Sequence, residues 1–551
     1  MTNHEFPLWS AFREGGCFGA GMPAEISLNP FSLFILLGGV VKGLNFSWYI
    51  LYFGGALSMY YLTRCVLKYN VFGAAYSAIV FSMNGFFPEK QLDAFIYARE
   101  TILLPLIMVF FLKAINDNRY IVFTGLMLAL FFIQTALYFC VIVLFLFVFA
   151  ILNSFRISDG KIRLTKRHLI VFFASLFFAL LISAGKLFPL LEVMNFNVGL
   201  NDFKEAAIVS QANTIPILMQ RLFAPGNSGP AEMYIGYWPV GLCLITGIVA
   251  YKRLWSWFFV LFVFILLSFG NNAVFNLHKL VSHVPGFKAI IEVAKYYGLI
   301  IVFTISVISG AFFGLIKKPL LRTLKVLIII IPLLFTYGDL LWANSGYFNY
   351  YTGQLPEIID QGDFFQVRSV GVPQDDEGTQ SAILPALYSK GIGLINAGYF
   401  SKERVEKDKI LKFFDEKKII PKYFILPKYV FLMPSTDMFA LPNKNYMGEA
   451  WFMSGYNTVT DFSIKTNSIR IKVNIKSADR LIINQNYSRW WKSAGYKVTD
   501  YNGKLSVFLD KPGESDVDLR FIPWNFYIGL VVSLGTVLCS VGWLKKYRVN
   551  R

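Results

Sequence analysis

Asp93 and Glu100 are the two carboxylates of this chain whose spacing and neighbours best fit acid–base chemistry. They lie seven residues apart in the polar stretch 88–100, and Arg99 precedes Glu100. Seven residues make about two turns of an α-helix, so a helical stretch would present both carboxylates on one face. A carboxylate there can take a proton from an attacking hydroxyl group, and a cation can stabilise a departing phosphate. The alternative is a solvated loop in which Arg99 only forms a salt bridge.

Lys288 and Lys295 have the same seven-residue spacing and flank Glu292. Their side chains suit a lipid phosphate at the mouth of a groove. The alternative is an amphipathic helix at a membrane interface, whose lysines extend towards the headgroups. Arg221, in the segment MQRLFAPGNSG, is a third candidate for binding phosphate.

Three further ionisable residues, Lys186, Glu192 and Asp339, lie near the ends of long apolar segments. Charged groups inside such segments are energetically costly and usually face a cavity or one another. Each is therefore a candidate functional residue, and the alternative is a structural ion pair. By this argument Asp339, in YGDLLW, is the most buried of the three.

The metal-binding residue types form no recognisable pattern. His278 and His283 are five residues apart, not the four of a pair on one helix face, and the five cysteines contain no CxxC. We find no Walker motif, no dinucleotide-binding fingerprint and no catalytic triad. The sequence therefore predicts no histidine or zinc site and no certain cofactor, while a divalent metal beside a phosphate stays compatible with the carboxylates.

The composition indicates that membrane-spanning helices position these residues. Of 551 residues, 55% are hydrophobic and only 16% are charged, whereas soluble domains are about 45–50% apolar and about 25% charged. The apolar residues form blocks of roughly 17–22 residues, the length that crosses a bilayer. We predict a polytopic α-helical membrane protein with about eleven spans, at 46–65, 71–88, 101–115, 119–134, 136–153, 169–187, 233–250, 254–269, 297–315, 323–341 and 523–543.

Two segments need separate treatment. The run 119–153 is too long for one helix, and we divide it near Gln134–Thr135 as a tight hairpin. Pro30–Val41 is too short to span, so we expect it to lie at the interface or to re-enter the membrane.

Basic residues set the predicted orientation. The net charge is +18, and the Lys and Arg clusters follow alternate spans, so all of them fall on one side. That asymmetry is typical of the cytoplasmic loops of a cell-membrane protein and argues against nucleic-acid binding. The loops 88–100, 188–232 and 270–296 then lie outside the cytoplasm. The N-terminus lies there too and is no signal peptide, so we expect a preceding transmembrane helix. The alternative is post-translational translocation of a short polar tail.

Residues 342–522 are predicted to form an extracytoplasmic domain between the last two spans. Its first half contains one clear helix, Ser401–Lys418, and its second half alternates as strands at 468–475, 480–487, 496–500, 504–510 and 516–522. A β-sandwich is the expected product, giving an α+β domain. The chain thus divides into a first external loop with an interfacial helix (1–45), a transmembrane domain (46–341), this domain, and a last helix with a basic tail (523–551).

Trp490 and Trp491 lie side by side in NYSRWWKSAGYK. Aromatic faces can stack on sugars. The alternative is that one tryptophan anchors the sandwich while the other meets the lipid headgroups.

Several segments carry a resemblance to known membrane enzymes. The string PLWSAFREGGCFGAG…SLNPFSLFILL resembles the first external loop of the GT-C class of glycosyltransferases, which use polyprenyl-phosphate sugars. The chain is more closely similar to the bacterial YfhO family. That similarity rests on Leu92-Asp93-Ala94 followed by Leu104-Pro105-Leu106, on GFKAIIEVAKYYGL, and on the tail NYSRWWKSAGYKV…NGKLSVFLDKPGESDVDLRFIPWNFYIGLVVS.

The resemblance implies a membrane glycosyltransferase that moves a sugar from a polyprenyl-phosphate donor to an envelope acceptor, either a cell-surface glycan or a teichoic-acid-like polymer. Asp93 and Glu100 would then be the catalytic carboxylates, and Lys288, Lys295 and Arg221 would bind the donor phosphate. The sequence departs from the GT-C pattern at the acidic residue of the first external loop, because only Glu14 and Glu25 remain there and neither matches.

Two other functions are compatible with this architecture. A transporter or flippase for lipid-linked sugars would be expected to show paired repeats with broken helices, and we find no internal repeat. A non-catalytic membrane scaffold would present the β-rich domain to a partner.

Overall fold

The protein is described here by a computed structural model that divides the chain into two compact units. The β unit contains residues 1–22 and 350–527, and the helical unit contains residues 23–349 and 528–551. The structure describes residues 6, 8–11, 16–22, 28–88, 96–158, 161–196, 212–224, 233–273, 275–284, 286–287, 290, 293–315, 322–345, 365–369, 392–396, 423–427, 438–442 and 446–549.

The helices dominate the helical unit. In chain order they are α1 Ser32–Gly38, α2 Val40–Tyr61, α3 Val71–Met83, α4 Leu104–Ala114, α5 Arg119–Gln134, α6 Ala136–Ser154, α7 Arg167–Ile182, α8 Ala184–Phe196, α9 Ile215–Phe223, α10 Tyr237–Ser268, α11 Leu277–Val281, α12 Val293–Ala311, α13 Arg322–Ser345 and α14 Trp524–Val549.

The strands lie mostly in the β unit. They are β1 Trp9–Ser10, β2 Cys17–Phe18, β3 Phe155–Ser158, β4 Lys161–Leu164, β5 Phe365–Ser369, β6 Ile392–Asn396, β7 Tyr423–Pro427, β8 Met438–Pro442, β9 Ala450–Phe452, β10 Thr458–Ile464, β11 Ser468–Ile475, β12 Asp479–Asn486, β13 Trp491–Ser493, β14 Val498–Tyr501, β15 Lys504–Leu509 and β16 Gly513–Phe521.

Five helical stretches of the described chain are long and apolar enough to cross a membrane. A sixth is present if α7 and α8, which meet at an angle of 80°, form one span. This helical architecture agrees with the predicted class of protein, although it does not establish eleven spans. The five stretches are Val71–Pro88, Ala136–Ser154, Tyr237–Ser268, Val293–Gly314 and Trp524–Lys546.

The predicted hairpin at Gln134–Thr135 is confirmed. Thr135 leaves the helical conformation, with φ −155° and ψ 121°, and separates α5 from α6. The far ends of both helices lie beside the start of α7. Asn118, just before α5, accepts a hydrogen bond from Arg167 at 2.5 Å, and Ser154 at the end of α6 accepts one from the Thr165 amide at 2.7 Å.

The long helix α10 also folds back on itself. Ala250 and Leu254 have non-helical backbone angles, and a Cβ atom added to Gly247 would lie 3.0 Å from the Phe258 ring. In a straight helix, residues eleven apart are about 16 Å apart. The two arms of α10 are therefore antiparallel, as the separate predicted spans 233–250 and 254–269 require.

Basic side chains gather at one end of the helical unit. Arg253 donates to the Leu67 carbonyl at 3.3 Å, and Lys113 donates to the Tyr61 hydroxyl at 2.6 Å. Arg167, at the start of α7, donates to backbone carbonyls at the end of α4. We name this the basic end, defined by Lys113, Arg167 and Arg253. The helix ends that the charge pattern assigns to one side of a membrane thus contact one another.

The segment before α4 differs from the predicted span 101–115. Residues Ile96–Leu103 form a 3₁₀ helix, and the α-helix begins only at Leu104. This 3₁₀ helix packs tightly against two glycines of α2. A Cβ atom on Gly55 would lie 2.6 Å from the Ile102 side chain and 2.7 Å from its carbonyl oxygen. Only glycine permits this approach, which fixes the position of the residues just before Ile102.

Other boundaries also shift. Within the short segment Pro30–Val41, α1 covers Ser32–Gly38. The following helix α2 begins at Val40, six residues before the predicted start at 46. The predicted helix Ser401–Lys418 lies outside the described residues. The described strands of the first half of the domain form one sheet in the order β6-β5-β7-β8, with β5 parallel to both β6 and β7.

The predicted β-sandwich is present in the second half of the domain. Two four-stranded sheets, β10-β11-β16-β13 and β14-β15-β12-β9, are antiparallel throughout. In β11 every second residue is buried, from Ile469 to Ile475, and β16 buries Val517, Leu519 and Phe521 on the same face. This alternation produces a core between two sheets, as the period of two predicted.

The N-terminal segment belongs to the same β unit, an arrangement that the predicted division at residue 45 did not include. The Trp9 indole donates to the Gln485 side chain at 3.1 Å, and its ring lies 5.3 Å from that of Trp491. Asn467 accepts the amide protons of Leu8 and Trp9 at 3.0 and 3.1 Å. Gly16 passes so close to Gln485 that a side chain there would overlap its amide. Residues 8–11 and 16–18 thus complete one side of the sandwich.

The two adjacent tryptophans should differ in their contribution to stability. Trp491 is 1% exposed and packs between Trp9 and Phe521, whereas Trp490 is partly exposed beside Arg489. Trp491→Ala should lower the free energy of unfolding of the β unit by about 3–5 kcal/mol because it leaves a large cavity. Pulse proteolysis of the full chain in detergent with increasing denaturant measures this free energy.

The matched control for that experiment is Trp490→Ala. Because Trp490 keeps solvent contact, its loss should cost less than about 1 kcal/mol. Equal effects of the two substitutions would contradict the assignment of Trp491 as the tryptophan that anchors the sandwich.

Candidate functional site

The ends of the helices opposite the basic end meet through their connecting loops. The Gly85 amide, after α3, donates to the Tyr234 carbonyl at 2.8 Å, before α10. The Asn213 amide, before α9, donates to the Ser268 carbonyl at 2.9 Å, where α10 ends. We name this the loop end, defined by Gly85, Glu100, Gln134, Asn213 and Tyr234.

Arg99 and Glu100 form a fully buried ion pair at the loop end. Arg99 donates from Nε and from Nη2 to the same Glu100 oxygen, Oε1, at 3.0 and 2.7 Å. Both side chains are 0% exposed. Glu100 Oε2 is also buried and accepts no hydrogen bond of ordinary geometry from the described residues, although the Asn29 side chain lies close enough to lower the pKa of the carboxyl. The carboxylate thus has one oxygen held by the guanidinium and one oxygen available for a further hydrogen bond.

Polar and aromatic groups from three other elements surround this pair. Arg99 Nη1 donates to Ser47 Oγ of α2 at 2.7 Å, and the guanidinium carbon lies 5.9 Å from the Phe31 ring centre, within the range of a cation–π contact. The Asn29 amide donates to Gln134 Oε1 at the end of α5, and the Phe31 amide donates to Asn29 Oδ1 at 2.8 Å. These contacts hold the guanidinium in one position.

Burial raises the pKa of the Glu100 carboxyl to about 7, although the adjacent Arg99 guanidinium opposes the rise. The low polarity of the surroundings disfavours the charged form more than a single neighbouring cation favours it. A carboxyl group whose pKa is close to neutral can gain and lose a proton at physiological pH. This is the property of a general base or acid.

The predicted partner of Glu100, Asp93, lies outside the described residues. The predicted α-helical spacing from 93 to 100 is not the local structure near Glu100, because the segment from Ile96 is a 3₁₀ helix with three residues per turn. The solvated loop proposed as the alternative does not describe Arg99 and Glu100 either, since both are buried.

The predicted phosphate-binding cations are buried near the loop end. Arg221 lies in the last turn of α9 and is 7% exposed, and Lys295 lies in the first turn of α12 and is 5% exposed. Lys288 lies outside the described residues. Lys186, in α8 just beyond the bend with α7, is also buried, and Glu192 on the same helix is partly exposed. Buried cations with fixed positions suit an anionic group such as phosphate.

Asp339 accepts a hydrogen bond at 2.7 Å from the hydroxyl of Tyr234. The carboxylate lies against Gly236, whose φ of +83° and lack of a side chain allow this contact. Asp339 is partly exposed and therefore less buried than Lys186, contrary to the prediction from its position in YGDLLW. This hydrogen bond between Tyr234 and Asp339 connects α13 to the loop that precedes α10.

Sequence reasoning missed the uncharged members of the site. No motif contains Ser47, Asn29 or Gln134. The one sequence signal is the polar Gln134 at the end of an apolar run, and that signal indicates only a turn. His278, for which the sequence pattern predicts no role, contacts the Tyr297 hydroxyl through Nδ1 at 3.0 Å, and burial lowers its pKa. Such side chains are identified by their contacts and not by their spacing.

Metal ligands are not clustered in the part of the chain that the structure describes. No group of three or more His, Cys, Asp or Glu side chains lies close enough to hold an ion there. Asp93 and Glu292, two carboxylates that could join such a group, lie outside the described residues, so the divalent metal remains a prediction.

Comparison of the chain with models of known protein families, with curated proteins and with solved structures finds no match. The similarity to the YfhO family and to GT-C enzymes therefore stays a prediction from the sequence.

Because the pKa of Glu100 is raised in the folded protein, we predict that this residue makes the free energy of unfolding depend on pH. An unfolded glutamate releases its proton near pH 4.5, while the folded protein holds it to about pH 7. The folded state is therefore favoured below pH 4.5 and loses this advantage as the pH rises through 7. Between pH 4.5 and 8 the wild type should lose about 3 kcal/mol relative to Glu100→Gln.

Chemical denaturation of both proteins in detergent across this pH range checks the prediction. Glu100→Gln keeps an acceptor for Arg99 but cannot ionise, so the difference between the two curves isolates this carboxyl. Parallel curves for the two proteins would mean that Glu100 does not titrate with a raised pKa.

Proposed function

We propose that this protein is a multi-pass cell-membrane glycosyltransferase of the GT-C type. It transfers a sugar from a polyprenyl-phosphate donor to a cell-envelope acceptor, a surface glycan or a teichoic-acid-like polymer. The observation that carries the proposal is the buried Glu100 carboxyl, which pairs with Arg99 at the loop end and has a pKa close to neutral.

Glu100 is suited to the role of general base in such a transfer. As the acceptor hydroxyl attacks the sugar carbon, the bond from that carbon to the phosphate oxygen breaks and the hydroxyl proton must leave. Glu100 Oε2 accepts no hydrogen bond of ordinary geometry from the described residues and can receive that proton. Asp93, seven residues earlier, remains a second candidate for the same role.

The cations of the loop end are suited to stabilising the leaving group of the reaction. The departing polyprenyl phosphate gains negative charge, which a fixed cation stabilises strongly where water is excluded. Lys295, at the start of α12, and Arg221, at the end of α9, are both buried near the loop end. Lys288 is the third candidate cation predicted from the sequence. A divalent metal could share this role.

The separation of charge between the two ends supports the proposed orientation. Arg167, Lys113 and Arg253 gather at the basic end, and cytoplasmic loops are the ones enriched in Lys and Arg. The loop end then faces the outside, where lipid-linked sugars are used for envelope polymers, and the β-rich domain 342–522 lies on the same side.

Substitution of the carboxylates tests the chemistry. Glu100→Gln should lower kcat for transfer by about 10²–10⁴, the usual loss when a general base is removed. Asp93→Asn should do the same if that residue shares the role. The assay is transfer of radiolabelled sugar from polyprenyl phosphate in proteoliposomes.

The matched control is Asp117→Asn, since Asp117 forms an ion pair with Arg119 near the ends of α4 and α5 that form the basic end. It should retain activity within about twofold. Wild-type transfer by Glu100→Gln, with normal membrane insertion, would exclude Glu100 from the mechanism. Movement of the labelled lipid without transfer would indicate a flippase, and neither event would indicate a scaffold.

Cysteine labelling in whole cells tests the orientation. In a variant with serine in place of the five native cysteines, Asp93→Cys should react with a membrane-impermeant maleimide added outside. Lys252→Cys, at the exposed turn of α10, should react only after permeabilisation. Reaction of position 93 only from the cytosol would invert the proposed topology.

A further inference from the structure

A groove in the β unit opens where the last helix begins. Its volume is about 760 Å³, and its lining comes from the outer face of the sheet β10-β11-β16-β13 and from the first turn of α14. The floor is formed where Ser468 of β11 pairs with Arg520 of β16. The Lys465 amide donates to the Ser468 carbonyl at 2.8 Å, so Lys465 and Arg520 both lie next to the same residue.

Cations predominate among the charged residues that line the groove. Lys465, Arg470 and Arg520 line it, and Asp518 is the acidic residue among its lining. Asp518 forms an exposed salt bridge with Arg470, from Nε to Oδ1 at 2.8 Å. That pairing offsets one cation, and Lys465 and Arg520 are both exposed. The lining therefore attracts an anion.

Two aromatic residues indicate the depth at which the groove lies relative to a bilayer. Trp524 and Tyr527 line the groove and are 59% and 40% exposed. They also form the first turn of the stretch Trp524–Lys546, which is long and apolar enough to cross a membrane. Trp and Tyr at the start of a span lie at the level of the lipid headgroups. The groove thus opens at the depth of the lipid phosphates.

We propose that this groove binds the headgroup of an anionic phospholipid from the leaflet that the last helix enters. Lys465 and Arg520 contact the phosphate and the negatively charged headgroup, while Trp524 and Tyr527 pack against the glycerol region. The proposal requires only that α14 spans the membrane, and it does not depend on sugar transfer. Such a contact would hold the sandwich against the bilayer surface.

Native mass spectrometry of the delipidated full-length protein in detergent tests the groove. Phosphatidylglycerol and phosphatidylcholine with identical acyl chains are titrated in parallel. Phosphatidylglycerol should bind about tenfold more tightly, and Lys465→Gln with Arg520→Gln should remove that preference. Because both side chains are exposed, an unchanged melting temperature is expected for this double variant, and single Lys465→Gln should show an intermediate loss.

The matched control removes two positive charges, one from β11 and one from the residue that follows it. Lys472→Gln with Lys476→Gln lies outside the groove and should keep the preference within about twofold. An equal loss in this control would show that binding depends on overall charge and would overturn the proposal. Absence of any preference in the wild type would overturn it too. Displacement of the lipid by millimolar inorganic phosphate would assign the groove to a free anion instead.

Discussion

The buried ion pair of Arg99 and Glu100 constrains the rest of the helical unit. Removing two charges from water costs several kcal/mol for each ion, and their attraction offsets that cost only with good geometry and further hydrogen bonds. Here Ser47 and the Phe31 ring complete the surroundings of the guanidinium. The close approach of Ile102 to Gly55 of α2 positions the 3₁₀ helix that carries the pair. The close packing of this 3₁₀ helix therefore also positions the carboxyl group.

The large-scale arrangement followed from rules that act locally along the chain. Apolar blocks of spanning length, broken at Thr135 and at Ala250–Leu254, predicted both helical hairpins. The distribution of Lys and Arg predicted which helix ends meet. Strands with a period of two predicted the sandwich and placed β11 and β15 almost residue for residue. Each of these signals needs only neighbouring residues, and each is repeated many times.

The misplaced features depend on contacts between distant residues. The 3₁₀ helix Ile96–Leu103 packs against α2, which lies some forty residues earlier in the chain. The N-terminal strands β1 and β2 have two residues each, too few for any periodic signal, and they are held by Gln485 and Asn467 from the other end of the sequence. Likewise Trp490 and Trp491 have the same neighbours in the sequence, and only the register of β13 against β16 decides which is buried.

The same electrostatics relate Glu100 to the substrate of the proposed reaction. Arg99 donates two hydrogen bonds to the carboxylate, and both go to the same oxygen, Oε1. The guanidinium therefore does not bind the two carboxylate oxygens in a bidentate arrangement. An incoming phosphate would compete with Glu100 for this cation, because Arg binds both groups through the same N–H donors. Any weakening of the Arg99 contact would raise the carboxyl pKa further, and a larger fraction of Glu100 would then be protonated at neutral pH. Retention of the Arg99 contact therefore keeps part of the Glu100 population ionised and able to remove the acceptor proton in the proposed reaction.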